Sequence, residues 1–196
     1  NLDRAAHHSP NNPDVLVGLA YYFQKVKEDA LAEKYYKYSL DKDPNNGDNI
    51  NSYASFLCEK KKYKKANKLF TKAIGLADYA GAGGSYENMG ICTKLQGKNK
   101  LAKDFFLKAL NYNANASKSL LELADLSFQE KSFLNARAFL RQYLQSTKPN
   151  SRALWLGIQI ERLLGDQDAR ASYQLQLTGR FPNSKETKIY LKSLQK

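Results

Sequence analysis

The 196 residues hold no apolar run long enough to span a membrane, so no transmembrane segment is expected. No cleavable signal is read within these residues, as expected of a mature or trimmed chain. Proline is scarce at five residues, and helix formers dominate the remainder, which points to an all-α chain. Only two cysteines and two histidines occur. Cys58 and Cys92 have no second cysteine pair or histidine beside them, and no acidic or cysteine cluster accompanies His7 and His8, so no metal site is expected. No Ser-His-Asp set, no carboxylate pair on a shared face and no metal motif stands out. The sequence therefore gives no support to an enzyme and implies no cofactor.

Acidic residues are also in deficit. Lys and Arg total 31 against 19 Asp and Glu, a net charge of +12. Such a balance suits acidic partners, nucleic acid or an anionic membrane surface; the plainer reading is a solvated lysine face. Lysine far outnumbers arginine, the residue that reads phosphates and bases in bidentate fashion, so no nucleic-acid partner is expected. The densest run, EKKKYKKANKLFTK at residues 59–72, places Lys61, Lys64, Lys65, Lys68 and Lys72 outward on a helix. Ala66, Leu69 and Phe70 then point inward. The outer face could rest on an anionic membrane, or simply be solvated.

The apolar share is 42%, enough for a core. Residues 14–44 organise it, as two amphipathic runs meeting at a charged turn, with Pro44 closing the second. Leu16, Leu19, Ala20 and Phe23 share one face, and Ala32, Tyr36 and Ser39 the other. Small residues at Ala20 and Ala32 allow close approach, and Tyr36 is a wedge toward the next pair. A step of 34 from the first set reaches Ile50, Tyr53, Ala54 and Leu57. The same step from the second reaches Ala66, Phe70 and Ala73. This pattern resembles the tetratricopeptide repeat.

The array is expected over residues 1–196. Repeats fall at 13–46, 47–82, 83–116, 117–149 and 150–183, with a capping helix at 184–196. The glycine-rich link YAGAGGSY at 79–86 shifts the register by two residues; it is a connection, not a phosphate loop. Tyr86, Met89 and Gly90 open the third repeat, with Gly97 at its turn and Ala102, Phe106 and Ala109 after it. Leu120, Leu123, Ala124, Ala136 and Leu140 carry the fourth, where Tyr143 replaces a small residue. Leu156, Gly157, Ile160, Ala169 and Tyr173 carry the fifth, whose turn at Gly165 is one residue out of register. Residues 1–12 read as the end of a truncated first repeat, because Leu2, Ala5 and Pro10 precede Tyr36, Ser39 and Pro44 by 34. Asn183 or Ser184 can cap the last helix. The expected fold is a right-handed tetratricopeptide superhelix, an α-solenoid, with a concave side lined by first helices.

The concave stripe is expected to include Tyr21, Gln24, Asn51, Ser55, Glu87, Ile91, Lys94, Leu121, Asp125, Phe128, Leu154, Ile158 and Glu161. Some of its aliphatics could instead pack between helices. Val17 and Tyr21 stand where a carboxylate clamp would need Lys and Asn, so an apolar helix or strand suits the groove better than a carboxylate. Cys58 and Cys92 lie on neighbouring first helices. A bridge between them is geometrically possible, and so is a pair of buried free thiols.

Beyond the repeat class, the chain resembles the PilW/PilF family of type IV pilus biogenesis and stability proteins. The residues that carry this are NNPDVLVGLAYYFQ at 11–24, NSYASFLC at 51–58, YENMGIC at 86–92, SLLELADLSF at 119–128, LWLGIQIERLLGDQDARASYQLQL at 154–177 and RFPNSKE at 180–186. The resemblance implies a lipoprotein of six repeats on the periplasmic face of the outer membrane, anchored by a lipidated cysteine upstream of Asn1. Its implied partners are the pilus secretin subunit or another pilus assembly protein. It would act as a pilotin in secretin localisation and multimerisation, or in pilus stability. An oxidising periplasm would favour the Cys58–Cys92 bridge. The alternative is a generic peptide-binding co-chaperone or adaptor of the same repeat class.

Overall fold

Side-chain caps and left-handed turns cut the chain into helices. The structure, a computed structural model, describes residues 9–194; the expected remnant at Leu2 and Ala5, with His7 and His8, lies outside the described residues. Among these there are eleven helices and no strand. They are α1 (Pro13–Lys25), α2 (Asp29–Lys42), α3 (Gly47–Glu59), α4 (Tyr63–Ile74), α5 (Ala82–Leu95), α6 (Asn99–Tyr112), α7 (Ser117–Gln129), α8 (Phe133–Ser146), α9 (Ser151–Leu164), α10 (Gln167–Arg180) and α11 (Lys185–Ser193). No described helix is long and apolar enough to cross a membrane. The helices sort into two compact units, Asn1–Tyr112 and Asn113–Lys196.

In the first unit, α1 starts where Asn12 accepts from the Asp14 N–H at 2.9 Å, with Pro13 in its first turn. Pro is tolerated there because that N–H has no helical partner. Asn46 caps α3 the same way, accepting from Asn49 N–H at 3.1 Å. The inner turns at residues 26–28, 60–62 and 96–98 share one geometry. Lys27, Lys61 and Gly97 sit in its middle with φ of 65°, 58° and 76°. The next residue's N–H then reaches back to the helix end, as Lys62 does to Leu57 O at 2.8 Å. An L side chain in that conformation costs roughly 1 kcal/mol or more; Gly97 avoids the penalty.

Packing within each pair follows the small-against-large rule. Ala20, Ala32, Ala54, Ala66 and Ala102 are fully buried, and Tyr36, Phe70 and Phe106 fill the space they leave. At Gly90 even a methyl is too large: a Cβ there would lie 2.6 Å from the Phe106 ring. Tyr36, Tyr53 and Phe56 form a ring cluster with centroids 5.2–6.3 Å apart. Cys58 of α3 is bonded to Cys92 of α5, with Cα atoms 5.7 Å apart.

The link at 79–86 differs from the expected loop, because α5 already begins at Ala82. Tyr79 explains the early start. Its ring fills the space over Gly47 and Gly81, its hydroxyl donates to Asp48 Oδ1 at 2.9 Å, and Ala82 and Ser85 are buried behind it.

The second unit pairs α7 with α8 and α9 with α10. The turn between α9 and α10 has only residues 165–166, which accounts for the register defect there. Gly165 takes φ 79° to close α9, and Asp166 at once caps α10 by accepting from Ala169 N–H at 3.0 Å. Ser184, rather than Asn183, caps α11, accepting from Thr187 N–H at 3.1 Å. Leu154, Ile158, Leu177 and Tyr190 form a buried cluster under α11, with Trp155, Tyr173 and Phe181 against it.

Candidate functional site

The first unit contains an open groove of about 470 Å³ between the faces of α1 and α3. Tyr21, Gln24, Asn51 and Ser55 all line it, brought together by the packing of α1 against α3. Tyr21 is 53% exposed, and Lys25 Nζ lies 4.9 Å from its ring centroid. A hydrogen-bonded relay forms the end of the groove. Tyr36 donates to Gln24 Oε1 at 2.9 Å, and Gln24 Nε2 donates to Glu59 Oε2 at 2.7 Å. The relay fixes the Gln24 amide so that its side chain presents a set edge rather than a free rotor. Burial first, then the Glu59 carboxylate, pushes the Tyr36 phenol up to about 12, so it stays a donor at neutral pH.

The opposite wall is polar. Asn88 Nδ2 donates to Asn51 Oδ1 at 3.2 Å, and Ser55 Oγ donates to Asn51 O at 3.0 Å. Val17 lies in the floor with Phe56. The groove thus combines an apolar floor with amide and hydroxyl edges. That lining suits a polypeptide segment with alternating apolar and polar contacts.

Glu87, Ile91 and Lys94 lie on α5, each half-buried. In the second unit, Asp125 on α7 accepts from Arg152 Nη2 at 2.9 Å, and Phe128 packs against Phe133 at 5.6 Å. Three apolar positions differ from the expected open stripe. Leu121, Leu154 and Ile158 are buried, at 5%, 0% and 3% exposure. Leu154 and Ile158 lie in the cluster with Leu177 and Tyr190, and α7 is packed by both α8 and α9. Glu161 is buried too, held by Arg137 of α8. Helical spacing marks the face of a residue, but not what a later helix lays over it. Asn88, Glu59 and Tyr36 were not among the expected groove residues. Glu59 was legible, since it lies 35 positions after Gln24, about one repeat on.

No protein-family model matches the chain. The type IV pilus assembly protein PilF of Pseudomonas aeruginosa is 34% identical over 185 residues, covering 94% of this chain and 73% of that protein. The chain belongs to the PilF family. A solved structure of Pseudomonas aeruginosa PilF superposes with a TM-score of 0.85 at 32% identity, covering 98% of this chain and 86% of that one. PilW, a widely conserved type IV pilus biogenesis factor, superposes with a TM-score of 0.82 at 24% identity, covering 97% and 87% of the two chains. YrrB, a tetratricopeptide protein with an unusual peptide-binding site, matches with a TM-score of 0.64 at 15% identity over 97% of each chain. The last two show the fold alone: this PilF-family chain is an all-helical tetratricopeptide protein of the type IV pilus assembly family.

Proposed function

We propose that the chain is a non-enzymatic protein-binding scaffold for type IV pilus biogenesis. It works on the periplasmic face of the outer membrane, held there as a lipoprotein. Its partner is the pilus secretin subunit, which it helps to localise and multimerise; loss of that step also removes stable pili. The repeats run 13–46, 47–82, 83–116, 117–149 and 150–183, closed by the helix at 184–196. The relation to PilF across 94% of the chain carries this reading. The bridged Cys58 and Cys92 support an oxidising compartment.

Within that function, the partner segment lies along Tyr21, Gln24, Asn51 and Ser55 and continues past Glu87, Ile91 and Lys94 on α5. Photo-crosslinking amino acids at positions 51 and 55, in cells of the source bacterium, test the assignment. Adducts with the secretin or another pilus assembly protein are expected. Adducts only from positions on the opposite side of α3, or none from either groove position, would overturn the groove.

A further inference from the structure

One edge of the first unit carries a set of lysines that the groove does not use. The ends of α1, α3 and α5 lie side by side there: Gln24 reaches Glu59, and Cys58 is bonded to Cys92. The three inner turns therefore line up on that edge. Lys27, Lys61, Lys64, Lys65, Lys98 and Lys100 are all exposed on it. Of the carboxylates nearby, Asp29 is paired with Lys60 at 2.5 Å and Glu33 with Lys62 at 2.6 Å and Lys37 at 3.1 Å, Glu59 accepts from Gln24, and Glu28 stands exposed in the first turn. No ion pair engages the six exposed lysines among the described residues. Apolar side chains stand out between them: Val26 is 48% exposed, Leu95 61% and Leu101 46%.

Two of these lysines are also held against backbone preference. Lys27 and Lys61 occupy the left-handed position that Gly97 fills in the third pair. Glycine would fit there with less strain, so the side chain adds nothing to the turn itself.

We infer that this edge rests on the surface of an anionic phospholipid bilayer. Lysine ammonium groups settle among lipid phosphates, and their stems lie along the apolar boundary. Val26, Leu95 and Leu101 enter that boundary, a gain that a nucleic-acid backbone does not offer. The contact is separate from any lipid anchor and orients the groove relative to the membrane. It rests on the envelope placement proposed above. Vesicle binding is read on the purified chain, so its failure would leave the pilus role standing, and loss of piliation would not disturb it.

The test is co-sedimentation with vesicles of phosphatidylglycerol and phosphatidylethanolamine, against vesicles of phosphatidylcholine alone. Binding is expected only to the anionic vesicles and to weaken with salt. Removing one edge lysine lowers partitioning about fivefold, and the triple variant Lys61→Gly, Lys64→Gln, Lys65→Gln by on the order of a hundredfold. Lys188→Gln with Lys192→Gln on α11 is the control of equal charge type and leaves binding near the parent's. The single variant Lys61→Gly separates fold from function: its melting temperature rises while its vesicle binding falls. Equal binding to neutral vesicles, an equal loss in the α11 control, or a Lys61→Gly chain that binds as the parent does would overturn the inference. So would displacement from vesicles by duplex DNA at equal phosphate concentration, which would assign the edge to nucleic acid.

Discussion

Arg137 of α8 grips Glu161 of α9 with two nitrogens: Nε donates to Oε1 at 3.0 Å and Nη2 donates to Oε2. Glu161 is only 1% exposed, so its charge depends on this one guanidinium. Hydrogen bonding to Glu161 raises the arginine pKa further, so the guanidinium keeps its charge. Arg137→Ala should therefore cost about 3 kcal/mol, because a carboxylate is left buried without a cation. Replacing both, Arg137→Met with Glu161→Leu, should recover most of that loss. Urea denaturation of the two variants checks this. A single-variant loss well under 1 kcal/mol would show that water reaches Glu161.

Two glycines of α5 should respond to alanine in opposite directions. At Gly90 the new methyl meets the Phe106 ring, and overpacking of this kind costs about 1–3 kcal/mol. At Gly84 nothing lies within 4 Å, and the helix gains about 0.5–1 kcal/mol from the better helix former. Thermal melts of Gly90→Ala and Gly84→Ala, measured side by side, should move apart from the parent's midpoint.

The bridge between Cys58 and Cys92 closes 34 residues of chain. The loop-entropy relation gives about 3–4 kcal/mol for a loop of that length. Cys58→Ala with Cys92→Ala should lower stability by about that amount, and the parent should fall to a similar level in reductant. If reductant left the parent's denaturation midpoint unchanged, the bridge would contribute nothing to the fold.

Glu33 sets an acid limit on the first unit. Its hydrogen bond with Lys62, aided by Lys37 and opposed by burial, lowers its pKa to about 2. The folded value lies below the unfolded one, so the carboxylate stabilises the fold above about pH 4.3, the unfolded glutamate value. That contribution fades as pH falls toward 2. Glu33→Gln should be less stable than the parent at pH 6, and the gap should close progressively below pH 4. Denaturation midpoints across pH 2–7 provide the check.

Much of the fold was legible because the repeat writes itself in side-chain size. Ala20, Ala54 and Ala66 against Tyr36 and Phe70 could be read by stepping along the chain, and so could the pairing distance between Cys58 and Cys92. The start of α5 was legible to within a residue from the repeat boundary at 83, but the link read at 79–86 is helical from Ala82 on, with Tyr79 seated against Gly47 and Gly81. The groove was partly legible. Tyr21, Gln24, Asn51 and Ser55 share a wall because α1 and α3 repeat the same register. Leu154 and Ile158 were misplaced because α11, which lies beyond the repeat, covers their face. Asn88 escaped notice because its role depends on an amide contact with Asn51 across two helices.

Under the proposed function this chain acts in pilus assembly by holding another protein. Chromosomal deletion in the source bacterium, followed by electron microscopy of the cell surface and unheated gel analysis of the secretin, tests it most directly. Cells without surface pili and a secretin that remains monomeric are expected, both restored by the parent gene. Normal pili together with normal secretin multimers in the deletion strain would contradict it.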